Sequence, residues 1–340
     1  MIKMKYPLFL KKNDLIGVPA PSASAEDKFK IKKYKSADKY FKEQGYRTLL
    51  SENIFTGKKG RSADKKIRAK EVNEMFQNSD IKMLICAGGG EFLVEILPYI
   101  DFDLIKKNPK YICGFSDPTG LLYPITTNCD IATIYGNNFS SFGEDTFYQT
   151  HYDFLDIITG NKLSEESYEL YENERLEKIT GLEGLNLTEK VNWKTLDGKK
   201  AEFTGRIIGG CFDIIAELAG TKYDGINKFN EKYKNDGIIW YFDNCELSME
   251  EVIRVLWKFN ELGYFKYTKG IIFGRFGAEK TYFDYDVKSC LKDSVLGDLD
   301  IPIIYDADIS HKGPSLTIIN GSIASVKCSK GKGKIEFRLE

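Results

Sequence analysis

Along the first third of the chain, short apolar runs alternate with stretches whose apolar residues recur every three or four positions. The run from Asp14, closed by Pro19 and Pro21, reads as a first buried strand feeding a loop. In Lys28–Gln44 the residues Phe29, Ile31, Tyr34, Ala37, Tyr40 and Phe41 mark one face of an amphipathic helix, and Gly45 supplies its stop. A strand at 46–50, a helix at about 63–78, and the apolar run Ile81–Ala87, ending on Gly88, Gly89 and Gly90, continue the pattern. A helix at about 91–98, a strand over Tyr111–Phe115 and a helix from about 118 complete it. Strands alternating with helices predict a parallel α/β sheet. In such sheets ligands sit beyond the carboxyl ends of the strands, where both the glycine run and Ser116 fall.

From about 160 to 190 the chain turns polar and rich in Glu and Lys, a composition that suits a connection with helical potential. A second apolar series follows: Gly205–Gly210, a helix at about 211–219, a strand over Gly237–Phe242, a helix over Met249–Leu262, and strands near 270–274, 301–305, 315–319 and 322–328. The expected organisation is an N-terminal parallel-sheet α/β domain over 1–165, a connection over 166–200, and a C-terminal mixed β/α domain over 201–340. A chain of 340 residues is long enough for two such cores.

Charge narrows the partner. Lysine plus arginine (49) nearly balances aspartate plus glutamate (50), which leaves no bulk field to draw nucleic acid or an anionic membrane. A small-molecule partner is expected. The opening MIKMKYPLFLKKND has too short an apolar run for a signal peptide, and no run approaches the roughly 20 residues of a membrane span. A cytoplasmic protein is expected. Seven cysteines stand singly, without a CxxC pair, and read as reduced core thiols.

Only two histidines are available as a general base, His151 and His311. His151 lies among aromatic residues in FYQTHYDF and reads as a packing histidine. His311 follows the strand-like IPIIYDADIS and precedes Gly313 and Pro314, a turn-rich strand end suited to a catalytic base. Ser116, in KYICGFSDPTGLL, stands on a sharp turn between strand and helix. It reads either as a nucleophile lifted to the positive end of a helix or as that helix's N-cap. The backbone N–H groups of Gly89 and Gly90, with that of Asp117, suit an oxyanion hole; as a phosphate cradle the run lacks both GxGxxG and the P-loop lysine. Asp243 and Glu246, after the strand GIIWYF, are both candidates to orient an imidazole. Glu250 and Glu251 suit the opening turn of the next helix. Two distant histidines without HExxH give no zinc ligand set, so no metal or other cofactor is expected.

The segments IGVPAPS, ICAGGG followed by EILPYIDFDLIKKNP, GFSDPTGLL, IYGNNFSSFGE, GRIIGGCFDIIAELAGTKYD, DNCELS, GIIFGRF and IPIIYDADISHKGPSLTIINGS resemble, in that order, the LD-carboxypeptidase and microcin C self-immunity family of serine peptidases. The resemblance spans nearly the whole chain. It implies a Ser-His-Glu triad of Ser116, His311 and Glu246, with Asp243 as second choice for the acid. It also implies an oxyanion hole at Gly89, Gly90 and Asp117, a site in the cleft between two domains, a homodimer and no metal. The spacing from the glycines to EILPYID, and the later IYGNNFSSFGE, resemble the microcin-immunity branch, whereas Ala87 and Glu91 stand where the carboxypeptidase branch commonly carries arginine and Tyr-Gly. Glu91 and Phe92 stand where the microcin-immunity branch often carries asparagines, which makes Glu91 a candidate substrate contact.

The expected activity is hydrolysis of an amide bond in a peptidyl or aminoacyl nucleotide through an acyl-enzyme. The alternatives are an LD-carboxypeptidase releasing D-alanine from a murein tetrapeptide and a non-catalytic binding protein on the same scaffold. A nucleotide-binding enzyme built on the glycine run is the weakest rival. Trp193 is a candidate nucleobase platform, and Arg275 a candidate clamp for a substrate carboxylate.

Overall fold

The computed structural model describes residues 3–340, so Met1 and Ile2 of the basic opening segment lie outside the described residues. The chain divides into two compact units. The first takes residues through Lys162, Arg175–Leu185 and Thr317–Asn320; the second takes Leu163–Glu174, Asn186–Leu316 and Gly321–Glu340.

The first unit is built on five parallel strands: β1 (Leu15–Val18), β2 (Arg47–Leu50), β3 (Ile81–Ile85), β4 (Tyr111–Gly114) and β5 (Thr133–Tyr135). They lie in the order β5-β4-β3-β1-β2, and Ile318–Asn320 adds an antiparallel strand outside β5. Helix α1 (Lys28–Glu43) starts where the Asp27 carboxylate accepts the N–H groups of Phe29 (2.8 Å) and Lys30 (2.9 Å), satisfying donors that have no partner within a first turn. It buries Tyr34, Ala37 and Phe41, and the Phe41 ring stacks on Phe139 at 5.2 Å. Helices α2 (Lys65–Gln77), α3 (Phe102–Lys107), α4 (Thr119–Cys129) and α5 (Gln149–Thr159) follow. The helix expected at 91–98 is a 3-10 turn over Leu93–Tyr99, because Pro98 removes a donor that an α-helix needs.

The second unit centres on four parallel strands, Ala201–Cys211, Ile238–Asp243, Thr268–Gly274 and Ile303–Ala307. Antiparallel strands extend the sheet on both sides: Ile323–Ser329, Lys332–Arg338 and Ser164–Glu166 beyond the first, and Lys194–Thr195 beyond the last. The strand-rich C-terminal end expected from sequence is this antiparallel flank. The parallel strands read as continuous apolar runs because both of their faces are covered.

The polar stretch 166–200 contains no helix. Leu170–Tyr171 pairs with Glu189–Lys190, and residues 175–185 belong to the first unit while their neighbours belong to the second. Its Glu and Lys residues favour a helix locally, but its apolar residues lack the helical period, and strand pairing prevails. Among the described residues, no helix is long and apolar enough to cross a membrane. All seven cysteines are free; Cys245 is partly exposed and the others are buried.

Candidate active site

In the first unit, four strand ends converge on Ser116. β4 ends at Gly114, where a Cβ would stand 2.5 Å from Pro118 Cβ, so the turn into α4 closes only over glycine. Ser116 has φ 70°, the left-handed region that non-glycine residues rarely occupy. Helix α4 has Pro118 at its cap position, so Ser116 stands ahead of the helix on a strained turn, at the positive end of its dipole. The elbow is braced on both sides. The Asn138 side chain bonds Phe115 twice, accepting its N–H at 3.0 Å and donating to its carbonyl at 3.1 Å. Buried Asp117 accepts from the Ser22 hydroxyl and from the Leu93 N–H at 3.0 Å. Burial raises the Asp117 carboxyl pKa against the pull of those donors.

The glycine run passes close to this elbow. A Cβ on Gly89 would lie 3.2 Å from Ser116 Cβ, and one on Gly90, at φ 153°, would meet Ser22 Oγ. Among the described residues, no hydrogen bond uses the N–H of Gly89, Gly90 or Asp117. Arg68, fully buried, fixes the loops around them by donating to Pro21 O (2.8 Å), Phe92 O (3.0 Å) and the Glu95 carboxylate (2.7 Å). Glu91 is exposed at the rim of this loop.

In the second unit, His311 lies in the loop after the strand Ile303–Ala307, its side chain 12% exposed. Its Nδ1 is 3.0 Å from Asp243 Oδ1, and Asp243 is fully buried. Burial by itself depresses an imidazole pKa; here the carboxylate of Asp243, with Cys245 acting in the same direction, prevails, and His311 is pushed up to about 10. The acid on His311 is therefore Asp243 and not Glu246. Asp243 is the last residue of its strand, in register with Cys211, so the sheet fixes its side chain. Glu246 comes three residues later on a turn closed by the Asn244 amide on Leu247 O (2.9 Å), and it is exposed.

Asp213, which sequence reasoning did not single out, holds that turn. Its carboxylate accepts the N–H of Cys245 and of Glu246, each at 2.9 Å. In sequence it looks like any acidic residue in a first helical turn. Glu251 closes a capping box with Ser248 at the start of the helix Met249–Glu261, as its position suggested.

Two further expectations are corrected. Trp193 is 2% exposed with its indole N–H on Asp308 (2.8 Å), so its ring is part of the core and not a platform. Arg275 is 5% exposed, and its guanidinium is committed to Asp308 and to the carbonyls of Lys312 and Pro314. The polar groups at these positions satisfy one another apart from Arg275 Nε, which is buried without a hydrogen-bond partner among the described residues. His151 is a packing histidine: its Nδ1 accepts the Tyr148 N–H (3.1 Å), its Nε2 lies 3.2 Å from Ser141 O, and its ring stacks on Phe147 at 4.6 Å.

Comparison with known proteins identifies the family. Residues 16–136 match the LD-carboxypeptidase N-terminal domain, and residues 204–326 match the LD-carboxypeptidase C-terminal domain. The microcin C7 self-immunity protein MccF of Escherichia coli is 29% identical, over 94% of this chain and 92% of its own. The crystal structure of an MccF-like protein from Bacillus anthracis superposes with a TM-score of 0.83 at 28% identity, covering 99% of this chain and 100% of that one. A variant of MccF in complex with adenosine monophosphate gives a TM-score of 0.83 at 25% identity and 98% coverage of each chain. With both domains of the family matched in order, the chain belongs to the LD-carboxypeptidase family of serine-type carboxypeptidases.

Proposed function

We propose that the protein hydrolyses the amide bond of a peptidyl or aminoacyl nucleotide, with Ser116 as nucleophile, His311 as general base and Asp243 as the group that orients it. His311 takes the proton from Ser116 Oγ as that oxygen attacks the carbonyl carbon. The resulting oxyanion accepts N–H bonds from Gly89, Gly90 and Asp117. Collapse expels the amine, which receives its proton from His311, and water then attacks the acyl-enzyme with His311 again as base.

The observation that carries this reading is the left-handed backbone at Ser116, because strain at a strand-to-helix turn is what a nucleophile elbow requires and what a helix cap does not. Support for the nucleotide comes from the likeness to MccF and its adenosine monophosphate complex. A homodimer in the cytoplasm is the state that accompanies this reading, and light scattering on the purified protein tests the dimer.

The deciding experiment offers an aminoacyl sulfamoyl adenylate and a murein tetrapeptide in parallel to wild type and Ser116→Ala, with products read by mass spectrometry. Serine-dependent cleavage of the adenylate alone is expected. Release of D-alanine from the tetrapeptide would move the substrate to the murein class. Cleavage that survives in Ser116→Ala would remove the nucleophile assignment.

A further inference from the structure

The loop that carries His311 has no secondary structure of its own, so something else must hold the imidazole against Asp243. Arg275, one residue past the strand Thr268–Gly274, touches this loop along its length. Its N–H donates to Ala307 O (3.0 Å) and its carbonyl accepts the Ser310 hydroxyl (2.6 Å). Its guanidinium donates to Asp308 through Nη1, and to Lys312 O (2.9 Å) and Pro314 O (3.1 Å) through Nη2. Ser310 Oγ also accepts the Lys312 N–H at 2.9 Å, so the residues on both sides of His311 are tied to the same arginine.

The far side of this clamp is equally fixed. Asp308, fully buried, uses its second oxygen to accept the Trp193 indole N–H (2.8 Å) and the Tyr168 N–H (3.2 Å), and the guanidinium lies over the Tyr171 ring at 4.5 Å. A buried ion pair gains little net stability over apolar residues of equal volume; what a planar, multiply bonded guanidinium supplies is geometry. We infer that Arg275, paired with Asp308, is a positioning residue for the reaction: it fixes the 308–314 loop so that His311 keeps Nδ1 on Asp243 and leaves Nε2 to exchange protons. This rests on His311 being the base proposed above.

Arg275→Lys tests it, because lysine keeps the charge opposite Asp308 but offers one donor nitrogen in place of the planar fork whose Nη1 reaches Asp308 and whose Nη2 reaches the two carbonyls. The measurements are kcat and KM, the melting temperature, and the titration of the two histidines by NMR, assigned with His151→Ala. A misplaced catalytic group can cost on the order of 100-fold in rate, so kcat should fall about that far with KM little changed. The His311 titration should move down from about 10, with Asp243 and Cys245 no longer held squarely against the ring, while His151 titrates as in wild type. A lower melting temperature with kcat and the His311 titration at wild-type values would overturn the inference. A raised KM with kcat unchanged would make Arg275 a substrate contact instead.

Should Arg275→Lys fail to fold, Ser310→Ala is read the same way. It removes only the hydroxyl that links Arg275 O to the Lys312 N–H, and a wild-type kcat and His311 titration in that variant overturn the inference equally. The two readings fail separately: if His311→Ala retains activity the base assignment falls, whereas the His311 titration in Arg275→Lys still decides whether the clamp sets the imidazole.

Discussion

The two histidines of this chain show how the same side chain is set for opposite tasks. Around His151, in the first unit, the neighbours are Phe142, Phe147, two backbone groups and the Glu144 carboxylate, whose Oε2 lies 3.5 Å from Nε2. Burial dominates there and depresses its pKa to about 4, against the smaller opposing effect of the backbone hydrogen bonds. With Nδ1 accepting from Tyr148, the ring is a neutral Nε2–H tautomer whose two nitrogens are both used for structure. Around His311, in the second unit, burial pulls the same way but a fully buried carboxylate overrules it. A carboxylate stands near each ring, but only that of Asp243, 3.0 Å from Nδ1 of His311, outweighs burial, and this separates a proton carrier from a packing residue.

The largest expected effect is on activity. Removing a triad histidine in other serine enzymes costs roughly 10^6-fold in kcat. His311→Ala is expected to show a loss of that order in the adenylate assay, with the fold intact by circular dichroism. His151→Ala should keep wild-type kcat and lose stability to urea, since it deletes a stacked ring and two buried hydrogen bonds. Activity lost equally in both variants would erase the distinction.

Next comes the carboxylate. Asp243→Asn keeps the shape but allows the wrong imidazole tautomer, a change worth roughly 10^4-fold in kcat where an aspartate orients a catalytic histidine. Glu246→Gln, on an exposed turn, should leave kcat unchanged. The pH profile sharpens the point. A base must be deprotonated to act, so kcat/KM of the wild type should rise with pH toward 10, where His311 loses its proton. In Asp243→Asn that rise should move toward the ordinary histidine range. If Glu246→Gln instead produced the larger loss, the orienting acid would have to be reassigned.

That reversal of Asp243 and Glu246 marks where sequence stopped being legible. The parallel strands could be read because burial on both faces leaves unbroken apolar runs, and the turn at Ser116 because a strand runs there straight into a Pro-opened helix, although spacing left nucleophile and cap both open. The acid could not be read with the same certainty, since both candidates follow one strand. What separates them is the last ladder pair, Cys211 with Asp243, and the turn pinned by Asp213, and both depend on residues some thirty positions away. Trp193 and Arg275 misled for a related reason. An indole and a guanidinium are as well suited to a ligand as to a buried carboxylate, and only the fold reveals that Asp308 takes both. The stretch 166–200 misled through composition, because Glu and Lys favour a helix locally whereas its strands pair within the stretch, Leu170–Tyr171 with Glu189–Lys190, and with the distant Ile304 and Tyr305.

The smallest expected effect, and the one that tests the comparison without any substrate, is the pH dependence of stability. His151 has its folded pKa depressed to about 4 from an ordinary 6.5, so its contribution is present above pH 6.5 and is lost as pH falls toward 4. For this buried ring the full shift corresponds to roughly 3 kcal/mol. His311 has its folded pKa raised, so its contribution is present below 6.5 and is lost as pH rises through about 10. Urea unfolding from pH 4 to 10 should therefore lose its acid-side slope selectively in His151→Ala and its alkaline-side slope selectively in His311→Ala. A slope lost on the wrong side in either variant would mean that burial prevails at His311, or the nearby carboxylate at His151.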